Sequence, residues 1–137
     1  MNAILERITE AQNAHDADAF SSYFAEDYRS AQPAHPHRAF SGRAQVLDNW
    51  SSVFAGVPDF RAELLAMCRD GAEEWGEFDW RGHHTDGTPF AMRGVIIVTV
   101  RDDQIAAGRL YMEPVEHHGD GINVAVAELF RKPDHEA

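Results

Sequence analysis

The stretch IAAGRLYMEPVE (Ile105–Glu116) decides how this chain folds. Read as a β-strand, its side chains alternate between two faces. Ala107, Arg109, Tyr111 and Glu113 form one row, and Ala106, Gly108, Leu110 and Met112 form the other. The first row can make ion pairs and the second can only pack. Whichever row faces inward sets the role of Glu113.

Outward from this strand, the neighbouring segments read as its partners. RDDQ (101–104) is a turn, and PFAMRGVIIVTV (89–100) before it is rich in β-branched residues. HHTDGT (83–88) supplies hairpin chemistry at Asp86-Gly87 after the strand EEWGEFDWRG (73–82). Asp70-Gly71 turns FRAELLAMCRD (60–70) into that strand. A meander of four long strands is therefore expected from Asp59 to Glu116.

The first half reads as helical. Ile4, Leu5, Ile8, Ala11 and Gln12 recur at helical spacing over residues 2–14. Asp16 is placed to N-cap a second helix carrying Phe20, Tyr23 and Phe24 on its apolar side. DYRSAQP (27–33) reads as a short strand stopped by Pro33, and AHPHRAFSG (34–42) as a loop. A third helix is expected from about Arg43 to Phe54, ending near Gly56 and Pro58. A short final helix (122–130) carries Ile122, Val126, Leu129 and Phe130 as an apolar stripe, able to cap a cavity or lie along a partner.

Helices first and a curved antiparallel sheet afterwards make an α+β fold, a cone-shaped roll with three N-terminal helices packed on the sheet. A bent sheet wrapped around one long helix leaves a cavity lined mainly by apolar side chains. The 137 residues suit a single domain over 1–131, with a frayed tail at 132–137.

Composition narrows the function classes. Apolar residues make up 44% and aromatic residues 10%, as in a globular protein. No stretch approaches the length of a membrane span. MNAILERITE carries three charges and no apolar run, so no secretory signal is expected. The single cysteine, Cys68, rules out an internal disulfide and fits a reducing compartment, with the cytoplasm as the default. Twelve basic against twenty-three acidic side chains give a net charge of −11, a field that repels phosphate backbones. Neither nucleic acid nor a membrane is an expected partner.

The segments AHDADAFSSYFAEDYRSAQP (14–33), FSGRAQVLDNW (40–50), WRGHHTDG (80–87) and MRGVIIVTVRDDQIAAGRLYMEPVE (92–116) carry a resemblance. In order and spacing they resemble the nuclear transport factor 2-like superfamily, most closely its SnoaL-like branch, over nearly the whole chain. The superfamily holds ketosteroid isomerases, polyketide cyclases, epoxide hydrolases and dehydratases, and also domains without chemistry, so fold does not choose the function.

The isomerases offer a check. Their mechanism needs a carboxylate base, with a tyrosine and a protonated aspartic acid holding the oxyanion. The resemblance puts the base at Gln32, the tyrosine at Ile8 and the protonated acid near Ile96. An amide does not take a proton at neutral pH, and isoleucine donates none, so this is not expected to be a ketosteroid isomerase.

The same resemblance turns Gly108, Leu110 and Met112 toward the cavity and Arg109, Tyr111 and Glu113 outward, onto a face where many relatives pair as homodimers. Phe78, Trp80, Met92 and Ile96 would point in, and Glu77, Asp79, Arg81 and Arg93 out. Cross-strand ion pairs of Arg93 with Glu113 and Arg109 with Glu77 are expected. SnoaL-like cyclases, in contrast, place an essential acid near the end of this strand, and YMEP resembles their Tyr-x-Asp-Pro ending. A bulge or a one-residue shift would make Glu113 an inward base with Arg109 as its partner.

The candidate binding wall is thus Tyr28, Ser30, Gln32, Trp50, Phe54, Phe78, Trp80, Met92, Ile96, Leu110 and Met112, suited to a planar or polycyclic hydrophobic small molecule. His35 and His37 are the acid–base candidates, because their loop commonly borders the cavity mouth in this fold and an imidazole exchanges protons near neutral pH. Gln32 and Tyr28 would orient a carbonyl, and Trp50 and Trp80 would wall the site.

No metal site is expected: His83-His84 and His117-His118 are adjacent pairs whose members diverge on a strand, and no third ligand accompanies His35-x-His37. GxSxG, P-loop and GxGxxG patterns are absent from the sequence, so no cofactor is implied. Two functions stay open: a cofactor-free cyclase, isomerase or dehydratase working by proton transfer, and a non-catalytic ligand-binding or dimerisation module of the same fold.

Overall fold

The computed structural model of the chain describes residues 2–131. The expected frayed tail, 132–137, lies outside them.

Helix α1 (Ile4–Asn13) buries Ile4, Leu5, Ile8, Ala11 and Gln12, the residues whose spacing predicts it. Its first N–H groups would otherwise be orphans. The Glu6 carboxylate accepts from the Ala3 N–H at 2.8 Å. Glu74, reaching over from the sheet, accepts from the Ile4 and Leu5 N–H groups at 3.2 and 3.0 Å. His15 ends α1 in the left-handed region, at φ 54. Asp16 caps α2 (Ala17–Ser22) as expected, accepting from the Ala19 N–H at 3.0 Å.

Helix α2 stops earlier than its apolar pattern suggests, so Phe24 belongs to β1 (Phe24–Ala31). The loop that follows is more ordered than its Pro, His and Gly content predicts. It holds a 3-10 turn at Pro36–Arg38 and a two-residue strand, β2 (Phe40–Ser41), antiparallel to β1. Gly42, at φ 103, turns this edge into α3 (Arg43–Gly56). The meander then runs as expected through β3 (Arg61–Asp70), β4 (Glu73–His83), β5 (Pro89–Arg101) and β6 (Gln104–Pro114). Helix α4 (Ile122–Leu129) closes the described chain, with Ile122, Val124, Val126, Leu129 and the following Phe130 all exposed.

The six strands form one sheet in the order β2-β1-β6-β5-β4-β3. One pairing departs from the antiparallel expectation: β1 runs parallel to β6. Helix α3 carries the chain from β1 to the far edge at β3, and the meander returns to β1 only at its fourth strand. A parallel pair needs such a long crossover.

Gly108, Leu110 and Met112 face the helices, while Tyr111 and Glu113 are exposed on the other side. The expected rows hold. The structure adds a bulge: Thr99 pairs with Ala107 but Val100 with Ile105, leaving Ala106 as the extra residue. The bulge reverses the alternation at its start, so Ile105 is wholly buried rather than part of the charged row.

The outer ion pairs differ from those expected. Arg93 takes Asp79, directly opposite on β4, at 3.0 Å, and Asp79 also receives Arg81 at 3.0 Å. Arg109 reaches diagonally across β5 to Glu73 at 3.3 Å, not to Glu77. Its neighbours across the sheet are Ile97 and then Trp75, which stands midway between Glu73 and Glu77, and Arg109 takes the Glu73 diagonal. Arg81 and Arg93 together hold the Asp79 carboxyl below its usual range, with Arg81 contributing most. Among the described residues no helix is long and apolar enough to cross a membrane.

Candidate functional site

Between α3 and the inner sheet face lies a cavity in two lobes. The first, of about 190 Å³, sits beside β1. Helix α1 contributes Ile8 and Gln12, and β1 contributes Phe24, Tyr28 and Ser30, with Gln32 just beyond its end. Phe40 of β2 and Asn49 of α3 also line it. The second lobe, of about 390 Å³, lies toward the β4–β5 hairpin. Phe60, Trp80, Phe90 and Met92 form its walls, and His84 stands at its rim.

Trp50, Val53, Ile96, Leu110 and Met112 line both lobes. Trp50 is the hinge of the aromatic packing. Its ring lies 4.7 Å from Phe20 on the first-lobe side and 5.4 Å from Phe60 on the other. Phe90 continues the aromatic wall, 6.1 Å from Phe60 and edge-on to His84 at 5.7 Å.

The hydrogen-bonding groups are concentrated in the first lobe. Tyr28 is 3% exposed, and burial raises its hydroxyl pKa above the ordinary phenol value while a hydrogen bond accepted from the Ser30 hydroxyl pulls the other way. The phenol stays protonated at neutral pH and is a donor. Gln32 already accepts from Arg38 through its carbonyl oxygen at 3.1 Å, so what it offers a ligand is its N–H₂ group. The amide of Gln12 is buried, and its oxygen has no partner. An unpaired buried acceptor of this kind costs about 1–3 kcal/mol.

The isomerase positions can now be placed. Ile8, Gln32 and Ile96 all stand on the wall of the first lobe, and none of them ionises. Within the expected binding wall, Tyr28, Gln32, Trp50, Trp80, Met92, Leu110 and Met112 line one lobe or both. Phe54 and Phe78 line neither. Phe78 is wholly buried and stacks on Trp80 at 5.2 Å, while Phe54 stacks on His15 at 4.9 Å. Both support the wall from behind.

His35 and His37 are exposed on the loop around the 3-10 turn and line neither lobe. Glu113 is exposed on the outer sheet face. Both lobes carry a residue that sequence reasoning missed. For Gln12 the only signal was its place in the apolar stripe of α1. His84 looked like a turn residue, and only the hairpin's fold over Phe90 brings it to the rim. Its neighbour His83 turns instead to Asp59, Nδ1 to carboxylate at 2.7 Å. No group of three or more His, Cys, Asp or Glu able to hold a metal occurs among the described residues. A polar depression near Arg7 and Arg69 is occupied by ion pairs with Asp103 at 2.9 Å and Glu74 at 2.7 Å.

A family model described as a SnoaL-like domain matches residues 5–108. A comparison with curated proteins returns no match. Among solved structures, the chain is similar to a hypothetical protein from Catenulispora acidiphila with a ketosteroid isomerase-like fold, solved in complex with trimethylamine. The two are 20% identical over 81% of this chain and 85% of that one, with a TM-score of 0.71. IdmH from Streptomyces antibioticus, provisionally assigned as a polyketide cyclase, is 22% identical over 80% and 88%, at a TM-score of 0.69. A provisionally assigned isomerase from Bacillus subtilis is 18% identical over 90% and 87%, at 0.71. At these identities the likeness establishes the fold.

Proposed function

The chain belongs to the SnoaL-like domain family, and we propose that it binds an uncharged, largely hydrophobic ring compound in the two-lobed cavity. One observation carries this reading. Among the described residues, the walls of both lobes hold no carboxylate, ammonium or guanidinium group, and His84 at the rim is their sole ionisable partner besides Tyr28. A charged ligand would lose its hydration there without compensation, at a cost of several kcal/mol. A neutral ring would gain about 25 cal/mol for each Å² of apolar surface it buries. The donors Tyr28 and Gln32 suit a carbonyl or hydroxyl oxygen on that ring.

A thermal-shift and tryptophan-fluorescence screen against neutral and anionic ring compounds tests the reading. A ligand at about 100 times its dissociation constant adds about 2.7 kcal/mol, a shift of several degrees. Neutral rings should shift the midpoint and perturb Trp50 or Trp80 emission. A panel in which only anions do so would sink the proposal.

A second reading, cofactor-free cyclisation, isomerisation or dehydration by proton transfer, draws on the polyketide-cyclase assignment of IdmH and on His84. Because His35 and His37 line neither lobe, His84 is the imidazole this reading rests on. His84→Gln should then stop turnover of a bound compound, followed by mass spectrometry, while its binding persists. Retained turnover would remove His84 from the chemistry.

The outer sheet face is proposed as the surface for a second copy of the chain. Trp75 and Tyr111, 37% and 43% exposed, support this reading, standing among the ion pairs of Arg93 and Arg109. Light scattering on the purified protein reads the mass directly.

A further inference from the structure

We infer that the ligand has two unlike halves: a neutral, oxygen-bearing ring held beside β1, and a hydrocarbon arm that passes Trp50 into the second lobe. This inference rests on the binding reading above and adds the ligand's shape and polarity to it.

The division of the walls supplies the argument. The first lobe has Gln12, Tyr28, Ser30, Gln32 and Asn49 among its lining residues. The second offers mostly carbon, from Phe60, Phe90 and Met92, and its Trp80 indole N–H is buried without a hydrogen-bond partner. Ser52 and His84 are its only other polar side chains, both exposed at the rim. A ligand of uniform polarity would leave one lobe badly matched. A polar body in the second lobe would strand its hydrogen-bonding groups, and a pure hydrocarbon would leave the Gln12 oxygen without a partner and the Tyr28 hydroxyl with Ser30 alone.

Size points the same way. A dry apolar cavity of about 150 Å³ holds one benzene ring. The first lobe, at about 190 Å³, therefore takes a single substituted ring, and the second, at about 390 Å³, takes a body roughly twice that size. Five side chains, Trp50 and Met112 among them, line both lobes, so the two adjoin and one molecule lying beside these residues would touch both. The ligand class that fits is a phenol or cyclic ketone bearing an uncharged arm of several carbons.

The test uses 4-alkylphenols from methyl to nonyl, with 4-alkylbenzoates and alkylbenzenes as comparators, titrated by tryptophan fluorescence against the whole chain. Affinity should rise about fourfold per added methylene until the second lobe is full, and then level off. Tyr28→Phe should weaken the phenols about tenfold more than the alkylbenzenes. Phe90→Ala should weaken nonylphenol about tenfold more than methylphenol, because only the longer arm reaches that wall; circular dichroism confirms that both variants fold. Affinity independent of chain length, or equal loss of both phenols in Phe90→Ala, would overturn the two-part ligand and leave the binding reading standing. Benzoates that bind as tightly as phenols, or no binding by any of the series, would sink both.

Discussion

The hydroxyl of Tyr28 lies 2.6 Å from the point where a β-carbon on Gly108 would stand. The two residues face each other across the parallel β1–β6 pair, whose register sets Ser30 opposite Gly108. Glycine is required here for close approach, not for an unusual backbone angle. Gly108→Ala should push the Tyr28 ring out of position. Because the ring is packed between Phe24 and Phe40, it has little room to yield. The expected outcome is a loss of about 1–3 kcal/mol in chemical denaturation, and weaker binding of ring ketones than of alkylbenzenes.

Exposed positions should behave differently. His35→Ala, His37→Ala and Glu113→Gln remove side chains that line neither lobe. Each should leave stability within about 0.5 kcal/mol and ligand affinity within about twofold of the parent. A larger loss of affinity in either histidine variant would bring that loop into the binding site.

Glu74 joins the sheet to α1. Its carboxylate accepts from two helix N–H groups and pairs with Arg69 at 2.7 Å, while being only 1% exposed. Glu74→Ala leaves the start of α1 without these acceptors and should cost about 1–3 kcal/mol. Arg69→Ala should cost less, because Arg69 is mostly exposed and the helix contacts of Glu74 survive its loss. Urea midpoints of the two variants give the ranking.

Acid stability should report Asp79. Its carboxyl titrates below its ordinary value of 3.8 in the folded chain, held there first by Arg81 and then by Arg93. A depressed folded pKa stabilises the fold above the unfolded pKa, and that contribution fades as pH falls from 3.8 through the folded value. Asp79→Asn should therefore be less stable than the parent near neutrality, and the difference should shrink below pH 3.8. A gap that stays constant as the pH is lowered would show that the lost contacts do not depend on charge.

If a second copy covers the outer face, Trp75→Arg should convert a dimer to a monomer without unfolding it. Sedimentation or light scattering would show the halved mass. A parent protein that is already monomeric at micromolar concentration would remove that interface.

Much of this architecture is legible one residue at a time. The stripe on α1, the Asp16 cap, the turns at Gly71 and Gly87 and the alternation of Phe78, Asp79, Trp80 and Arg81 are all local. Each depends on spacing and backbone chemistry within a few residues, and the sequence states them directly. The net charge of −11 belongs with them.

Pairing across the fold was not legible in that way. The parallel β1–β6 contact, the extra residue at Ala106 and the choice of Glu73 over Glu77 by Arg109 depend on strands brought together from distant parts of the chain. So does the site. The family resemblance places Tyr28, Trp50 and Met112 on the wall, while their spacing alone suits a core equally well, and His84 looks like a turn. Whether such side chains fill a core or border a cavity is decided by how far α3 stands from the sheet, a sum over packing contacts that no local pattern encodes. The sequence alone therefore determined the elements and their inward faces; the tertiary structure decided that those faces leave a divided apolar space, with hydrogen-bonding groups gathered in one lobe and nearly missing from the other.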